Sequence, residues 1–267
     1  MKPIFIKKDS IVENIKNQNS TCEYDFYIFD SIDSTNRFLK DLPRTSKPII
    51  PCCIAEMQTA GRGRFGRDWH SPQYENIYCS SRWRFPKDLM QRSGLSLVVS
   101  LAITAMIHDL FDHLKLDHKI QIKWPNDLLW QHKKLSGTLI ELKETDEVII
   151  GIGINVNSIY SSLSHQVKPW CSLHDITKLF FNRNNLIANL LIKIEQYMDH
   201  FTHHGFIFFK PEWDKLDYLK HQFITIKNHD KILSGQTQGI DDQGKLLLRD
   251  TTGRLHALVS GETSLKT

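Results

Sequence analysis

Residues 61–67 read Gly-Arg-Gly-Arg-Phe-Gly-Arg, three glycines and three arginines in seven positions. Glycine lets the backbone bend where other residues clash. Successive N–H groups in such bends form anion-binding nests, and each guanidinium adds a fork of donors matched to phosphate or carboxylate. The chemistry this spacing suits is capture of a polyanion by a loop that stays loose until the anion neutralises it. The plainer reading is a solvated basic surface loop. The run also contains a literal Gly-x-Gly-x-x-Gly. A dinucleotide fingerprint needs a helix opening at the last glycines, and Asp68–Trp69–His70–Ser71–Pro72 does not start one there.

Two lysines stand in short punctuated runs. Lys123 opens Lys-Trp-Pro-Asn-Asp at 123–127, where Pro125 fixes φ and Asn126–Asp127 suit a tight turn. Lys123 then ends a strand, on the face shared with Gln121 and opposite Ile122. It reads either as a cation held over a ligand or as a surface hairpin lysine. Lys134 opens Lys-Leu-Ser-Gly at 134–137. Gly151 and Gly153 lie in Gly-Ile-Gly-Ile-Asn, and paired glycines weaken a strand unless something approaches its backbone closely. Asn155 suits such a site or a satisfied core amide. GxxxxGK[ST], HExxH and GxSxG do not occur, and the 13 histidines are dispersed. No metal cage built by the protein is expected.

The elements that must carry these residues follow from periodicity. Tyr24–Phe29 and Ile49–Met57 read as strands. Between them, Asp33–Ser34–Thr35 offers N-cap chemistry for a short helix that ends at Leu42 before Pro43. Gln58–Pro72 reads as a loop and Asn76–Arg84 as a strand. Gly94–Leu114 has Leu97, Leu101, Met106, Leu110 and Leu114 near helical spacing. Residues 120–124, 127–130, 135–142 and 148–156 are strand-like with short polar connections, which makes an antiparallel meander. Asn157–Leu173 reads as a loop and Asn185–His203 as an amphipathic helix. Beyond His221 come short strands at 223–227, 231–239, 245–249 and 255–259, with a hairpin turn at Asp241–Gly244. The expected fold is α+β: a mixed, largely antiparallel sheet flanked by helices, followed by a small β-barrel. The division is 1–22, an N-terminal segment; 23–219, the main domain; and 220–267, the barrel.

A chain of 267 residues with 40% hydrophobic and 24% charged residues is ordinary globular composition. The net charge of +4 is too small to argue for a nucleic-acid module built on the basic loop and barrel. Five cysteines without a CxxC suit neither a disulfide framework nor zinc, and fit a reducing compartment. The N-terminus has no apolar signal core. The most apolar stretch, Leu95–Ile107, is shorter than the roughly 18–20 residues of a membrane span. A cytoplasmic protein without membrane contact is expected.

Taken in order, Ser34–Thr35–Asn36, Gln58, the Gly-Arg loop, Trp69, Ser71–Pro72, Lys-Trp-Pro-Asn-Asp, Lys-Leu-Ser-Gly and Gly-Ile-Gly-Ile-Asn resemble the biotin–protein ligases, or biotin–[acetyl-CoA-carboxylase] ligases. Gly239–Ile240–Asp241 and Ser260–Gly261–Glu262 extend the resemblance into the terminal barrel. It implies a class II synthetase-like catalytic domain with an SH3-like barrel. It also implies a two-step reaction: biotin and ATP, with Mg²⁺ on the nucleotide, give biotinyl-5′-AMP, and a lysine of a biotin carboxyl carrier protein then takes the biotinyl group. The implied biotin-binding residues are Ser34, Thr35, Asn36, Gln58, Arg62, Gly63, Arg64 and Lys123. Arg64, Arg67, Trp69, Lys134 and Asn155 fall on the nucleotide side. Lys123, with Arg62 and Arg64, is expected at the reaction centre. A second loop at 157–173, with Trp170, is expected over the adenylate.

Two stretches depart from the family pattern, Gln73–Tyr74–Glu75 after Ser-Pro, and Phe65. About 22 residues precede the first strand, too few for the winged helix of repressor members. A ligase without specific DNA binding is expected, as monomer or homodimer. The rival reading is a lipoate ligase or octanoyl transferase of related fold, the latter needing a nucleophilic cysteine such as Cys171.

Overall fold

The computed structural model describes residues 4–18, 20–85, 94–159, 169–228 and 231–265. Its centre is a seven-stranded sheet in the order β1-β2-β3-β7-β6-β5-β4. The strands are β1 Glu23–Phe29, β2 Ile49–Ala55, β3 Ile77–Arg84, β4 Gln121–Lys123, β5 Asp127–Trp130, β6 Lys133–Glu144 and β7 Glu147–Ile154. Only β1 and β2 pair in parallel, because the segment joining them carries a helix. The remaining pairs are antiparallel, as the short connections require.

Side-chain alternation gives the sheet two faces with different tasks. Val148, Ile150, Ile152 and Ile154 of β7 enter the main core. That core is closed by two helices following β1, β2 and β3 in the fold: α3 (Leu95–His113) and α5 (Arg183–His204). On the other face Ile149 joins Leu39 and Cys53 in a small core beneath α2 (Thr35–Asp41). Ser34 caps α2 by accepting from Arg37 N, so the N-cap reading holds. Gly151 and Gly153 share this second face with Ile149, and there the site is built.

α3 runs six residues past Leu95–Ile107. With 19 residues and a mean hydropathy of 1.6 it is long and apolar enough to cross a membrane by length and composition. Here 61% of that stretch is buried within the protein, so its apolar character is accounted for by packing on the sheet and α5.

The N-terminal segment is not set apart from the main domain. Helix α1 (Lys8–Lys16) packs on α5 and places Ile11 and Ile15, with Ile6 before them, in the core. The i, i+4 spacing of Ile11 and Ile15 carried that signal. Ahead of α1 the chain is pinned by a buried ion pair: Arg183 Nη1 donates to Glu56 Oε2 at 2.6 Å and to Asn76 O at 3.1 Å. Arg183 Nη2 donates to Ile4 O, and Glu56 Oε1 accepts from Ile6 N.

Like α1, two further short helices escaped the periodicity reading, α4 (Leu173–Thr177) and α6 (Lys210–Leu216). The terminal sheet has order β11-β10-β9-β8-β12, from β8 Phe223–Asn228, β9 Lys231–Ile240, β10 Leu246–Asp250, β11 Leu255–Leu258 and β12 Glu262–Leu265. β12 is an addition to the four expected strands. The expected turn joins β9 to β10, with Gly244 at φ +78°. That glycine wedges against Leu97 and Phe206, and its carbonyl accepts from Trp124 Nε1 at 3.1 Å. Ile224, Ile226, Ile240, Leu246 and Leu248 belong to the main core, so two sheets share one interior.

Candidate active site

A cavity of about 1670 Å³ opens on the α2 face of the sheet. Its wall at one end is the start of α2. Thr35 N donates to Gln58 Oε1 at 3.0 Å, and Gln58 Nε2 donates to Ser71 Oγ at 3.2 Å. Asn36 spends its amide on the protein: Nδ2 donates to Glu141 Oε2 at 2.8 Å and to Leu139 O, while Oδ1 accepts from Ser80 Oγ at 2.6 Å. Asn36 and Gln58 therefore shape the wall on which the resemblance placed biotin. Asn36 fits only because residue 151 is glycine, since a Cβ there would lie 2.1 Å from Asn36 Oδ1.

The Gly-Arg loop closes over this wall as a folded turn. Gly63 N donates to Arg67 O, Trp69 N donates to Gly61 O, and Arg62 bridges Asp68. A Cβ on Gly61 would stand 2.5 Å from Trp69 O, so this glycine answers to a close approach. No α-helix follows the loop; a single 3-10 turn covers Arg64–Gly66, with Phe65 at φ 57°. The three guanidiniums reach different acceptors. Arg62 Nη2 lies 3.2 Å from Glu141 Oε2, Arg64 Nη1 lies 3.4 Å from Asn126 Oδ1, and Arg67 Nη1 lies 2.9 Å from Glu262 Oε1 of the terminal sheet. Burial draws the Arg64 guanidinium below its ordinary value, and Arg67 beside it acts in the same direction. A guanidinium stays charged in proteins, so an incoming anion meets a cation that is poorly solvated and gains from pairing.

The cavity floor is glycine. Trp69 lies against Gly153, where a Cβ would approach the indole to 2.5 Å. The Trp69 Nε1 proton is buried and has no partner among the described residues, so it offers a donor to a ligand. Lys134 Nζ sits 5.0 Å from the Trp69 ring centroid and 2.6 Å from Asp127 Oδ1, with Gly137 beneath it. Asn155 donates to Lys134 O and to Cys171 O, fixing the strand from which Lys134 projects. Trp170 lines the cavity and bridges Lys134. Of the expected second loop, 160–168 lies outside the described residues.

Ser34, Thr35, Asn36, Gln58, Arg62, Gly63, Arg64, Arg67, Trp69, Lys134 and Asn155 all line this one cavity. Lys123 is absent from that lining but pairs in register with Asp127, which belongs to it. Its face was read rightly, for Lys123 registers with Asp127 and Asp127 with Gly137. β4 is the edge strand, and Lys123 ends it next to Asn126 and Asp127. Lys134 lines the cavity itself. Asn126 and Asp127 also line it. They stand in the same five-residue run as Lys123, and their polarity at the head of a strand was the available signal.

Two family models match the chain: the biotin/lipoate A/B protein ligase family over residues 28–156, and the biotin protein ligase C-terminal domain over 222–266. The chain is 35% identical over 239 residues to the bifunctional ligase/repressor BirA of Escherichia coli, covering 88% of this chain and 72% of that protein. This chain belongs to the biotin protein ligase family. It is also 31% identical over 218 residues to the biotin–[acetyl-CoA-carboxylase] ligase of Mycobacterium tuberculosis, covering 78% of this chain and 76% of the relative. Among solved structures, the biotin protein ligase of Aquifex aeolicus in complex with biotin and ATP superposes with a TM-score of 0.78 at 26% identity, covering 91% of this chain and 98% of that one.

Proposed function

We propose that this chain activates biotin with ATP and transfers the biotinyl group to a lysine of the carrier protein of acetyl-CoA carboxylase. The observation that carries the reading is the convergence of Arg62, Arg64, Arg67 and Lys134 on one glycine-floored cavity in a biotin ligase fold. In the first step a biotin carboxylate oxygen attacks the α-phosphorus of ATP, and pyrophosphate leaves with the electron pair of the broken P–O bond. In the second, the acceptor amine attacks the acyl carbon of biotinyl-5′-AMP, an amide forms, and AMP leaves.

Both reactants of the first step are anions, so their repulsion is the barrier that the protein must lower. One cation about 4 Å from an anion contributes about 4 kcal/mol at an effective dielectric constant of 20. Lys134 supplies a compact ammonium, held by Asp127 and by the Trp69 ring. Arg62 and Arg64 supply forked donors from the loop, Lys123 beside Asp127 is assigned a second ammonium at the reaction centre, and Trp69 and Asn155, which line the same cavity, are assigned to the nucleotide side. ATP enters as its magnesium complex, a substrate carrying its own cation. The mixed anhydride is water-labile, which gives the loop over the cavity its use. Five free thiols, four of them buried, support a reducing, cytoplasmic setting.

The test is mass spectrometry of a purified carrier domain incubated with the protein, MgATP and biotin, beside a lipoate arm. A gain of one biotinyl group on one lysine is expected. No gain with biotin, or a gain with lipoate alone, overturns the reading.

A further inference from the structure

The three guanidiniums of the Gly-Arg loop are held by different kinds of partner. Arg62 and Arg67, both exposed, each reach a carboxylate, Glu141 at 3.2 Å and Glu262 at 2.9 Å. Arg64, half-buried, is held by neutral groups. Its Nη1 lies 3.4 Å from Asn126 Oδ1, and its Cζ stands 5.0 Å from the centre of the Phe65 ring. Phe65, a departure from the family pattern, thus supplies a cation–π contact. Asp127, whose charge also acts on Arg64, is engaged by Lys134 Nζ at 2.6 Å. The sense of the Asn126 contact is fixed at both ends. Asn126 Nδ2 donates to Thr138 O at 2.7 Å, and a carbonyl only accepts. Asn126 Oδ1 therefore faces the guanidinium, which only donates. The backbone of Asn126 is seated independently: its N donates to Lys123 O, and its O accepts from Thr138 N.

We propose that Asn126 is a positioning residue that aims Arg64 into the cavity through a neutral contact and so leaves its charge for the phosphate of the adenylate. A carboxylate at this place would hold the guanidinium more strongly and cancel its charge. An amide oxygen and a ring face orient it and leave the net charge in place. An arriving phosphate then gains a charge-assisted pair without first breaking an ion pair. Arg62 and Arg67, tied to Glu141 and Glu262, fasten the loop at its two ends. Arg64, between them, is the cation that meets the anion. The inference rests on the biotin–adenylate reading above and adds the side chain that sets the direction of that cation.

Asn126→Ala removes the contact to Arg64 and keeps the backbone bonds of residue 126. Calorimetry on the full-length protein should use biotinol-5′-AMP, which carries the phosphate of the adenylate and cannot transfer its biotin group. Asn126→Ala should weaken its binding about tenfold, the scale of one hydrogen bond to a charged group. In an Arg64→Met background the same substitution should cost less than about twofold, because no guanidinium is left to aim. Asn126→Asp sets a carboxylate in the same place and should bind the analogue at least as weakly as Asn126→Ala. Equal losses in the two backgrounds would show that residue 126 acts through the turn it stands in, and would overturn the proposal. So would wild-type affinity in either Asn126→Ala or Asn126→Asp. Failure of the unmutated protein to bind biotin and biotinol-5′-AMP would instead overturn the functional reading, which keeps the two failures distinct.

Discussion

At the scale of single residues two lysines neighbour the cavity-lining Asp127. Lys134 Nζ lies 2.6 Å from its Oδ1, and Lys123 is its register partner on β4. Lys134→Ala should slow adenylate formation by about 10²–10³, the usual loss for one charge-stabilising donor. Lys123→Ala should slow it by a similar factor. Single-turnover pyrophosphate release at saturating biotin and ATP measures both, and a near-wild-type rate for either variant would remove that lysine from the reaction centre. The same scale decides the acyl-transfer rival. Burial pushes the Cys171 thiol up to about 12, with Asp175 adding to the effect. The sign is that of a thiol kept protonated: at pH 8 only about one molecule in ten thousand is thiolate. Cys171→Ser should keep full ligase activity, and iodoacetamide at pH 7.5 should leave the native protein active. Rapid inactivation that tracks alkylation of Cys171 would contradict this.

At the scale of elements, what matters is which face each strand presents. Gly151 and Gly153 alternate with Ile150, Ile152 and Ile154, so one face of β7 is core and the other is floor. Gly153→Ala should fold, because nothing in the extended backbone of β7 demands glycine. Its Cβ would displace the Trp69 indole, and ATP affinity should fall by the worth of one stacked base, roughly five- to 150-fold. Equilibrium nucleotide binding checks it, and unchanged affinity would take Trp69 off the nucleotide side. The buried Arg183–Glu56 pair ties α5 to the N-terminal segment and to the loop before β3. Arg183→Met leaves Glu56 charged and buried, a loss of about 3–5 kcal/mol. At about 2–4 °C per kcal/mol for a chain of this size, the melting temperature should drop by roughly 10 °C. Adding Glu56→Leu should recover part of that drop; a double variant worse than the single one would show that the carbonyl contacts of Arg183 dominate.

At the scale of the whole molecule the terminal sheet is a structural part of the catalytic core. Gly244 wedges against Leu97 and Phe206, Trp124 donates to its carbonyl, and Arg67 reaches Glu262. Ending the chain after Leu219 would expose Leu97, Trp124 and Phe206 together. Such a truncation should lose cooperative unfolding and bind a hydrophobic dye. A truncated protein that melts sharply and still makes adenylate would show that the two sheets are energetically separate. The Arg67–Glu262 pair is half-exposed, so Glu262→Ala should change stability by less than about 1 kcal/mol.

The local chemistry of this protein was legible in its residues. The cap at Ser34, the turn at Asp241–Gly244, the antiparallel meander and the failure of the dinucleotide pattern all follow from interactions a few residues long. The ordered motifs placed eleven residues that do share one cavity. Tertiary structure decided what depends on distance across the sheet. Alternation put Lys123 on the face of Asp127, and strand order, which is set by long-range pairing, made its strand the edge of the sheet. α4 and α6, only 5 and 7 residues long, escaped periodicity because so few turns leave little pattern to read.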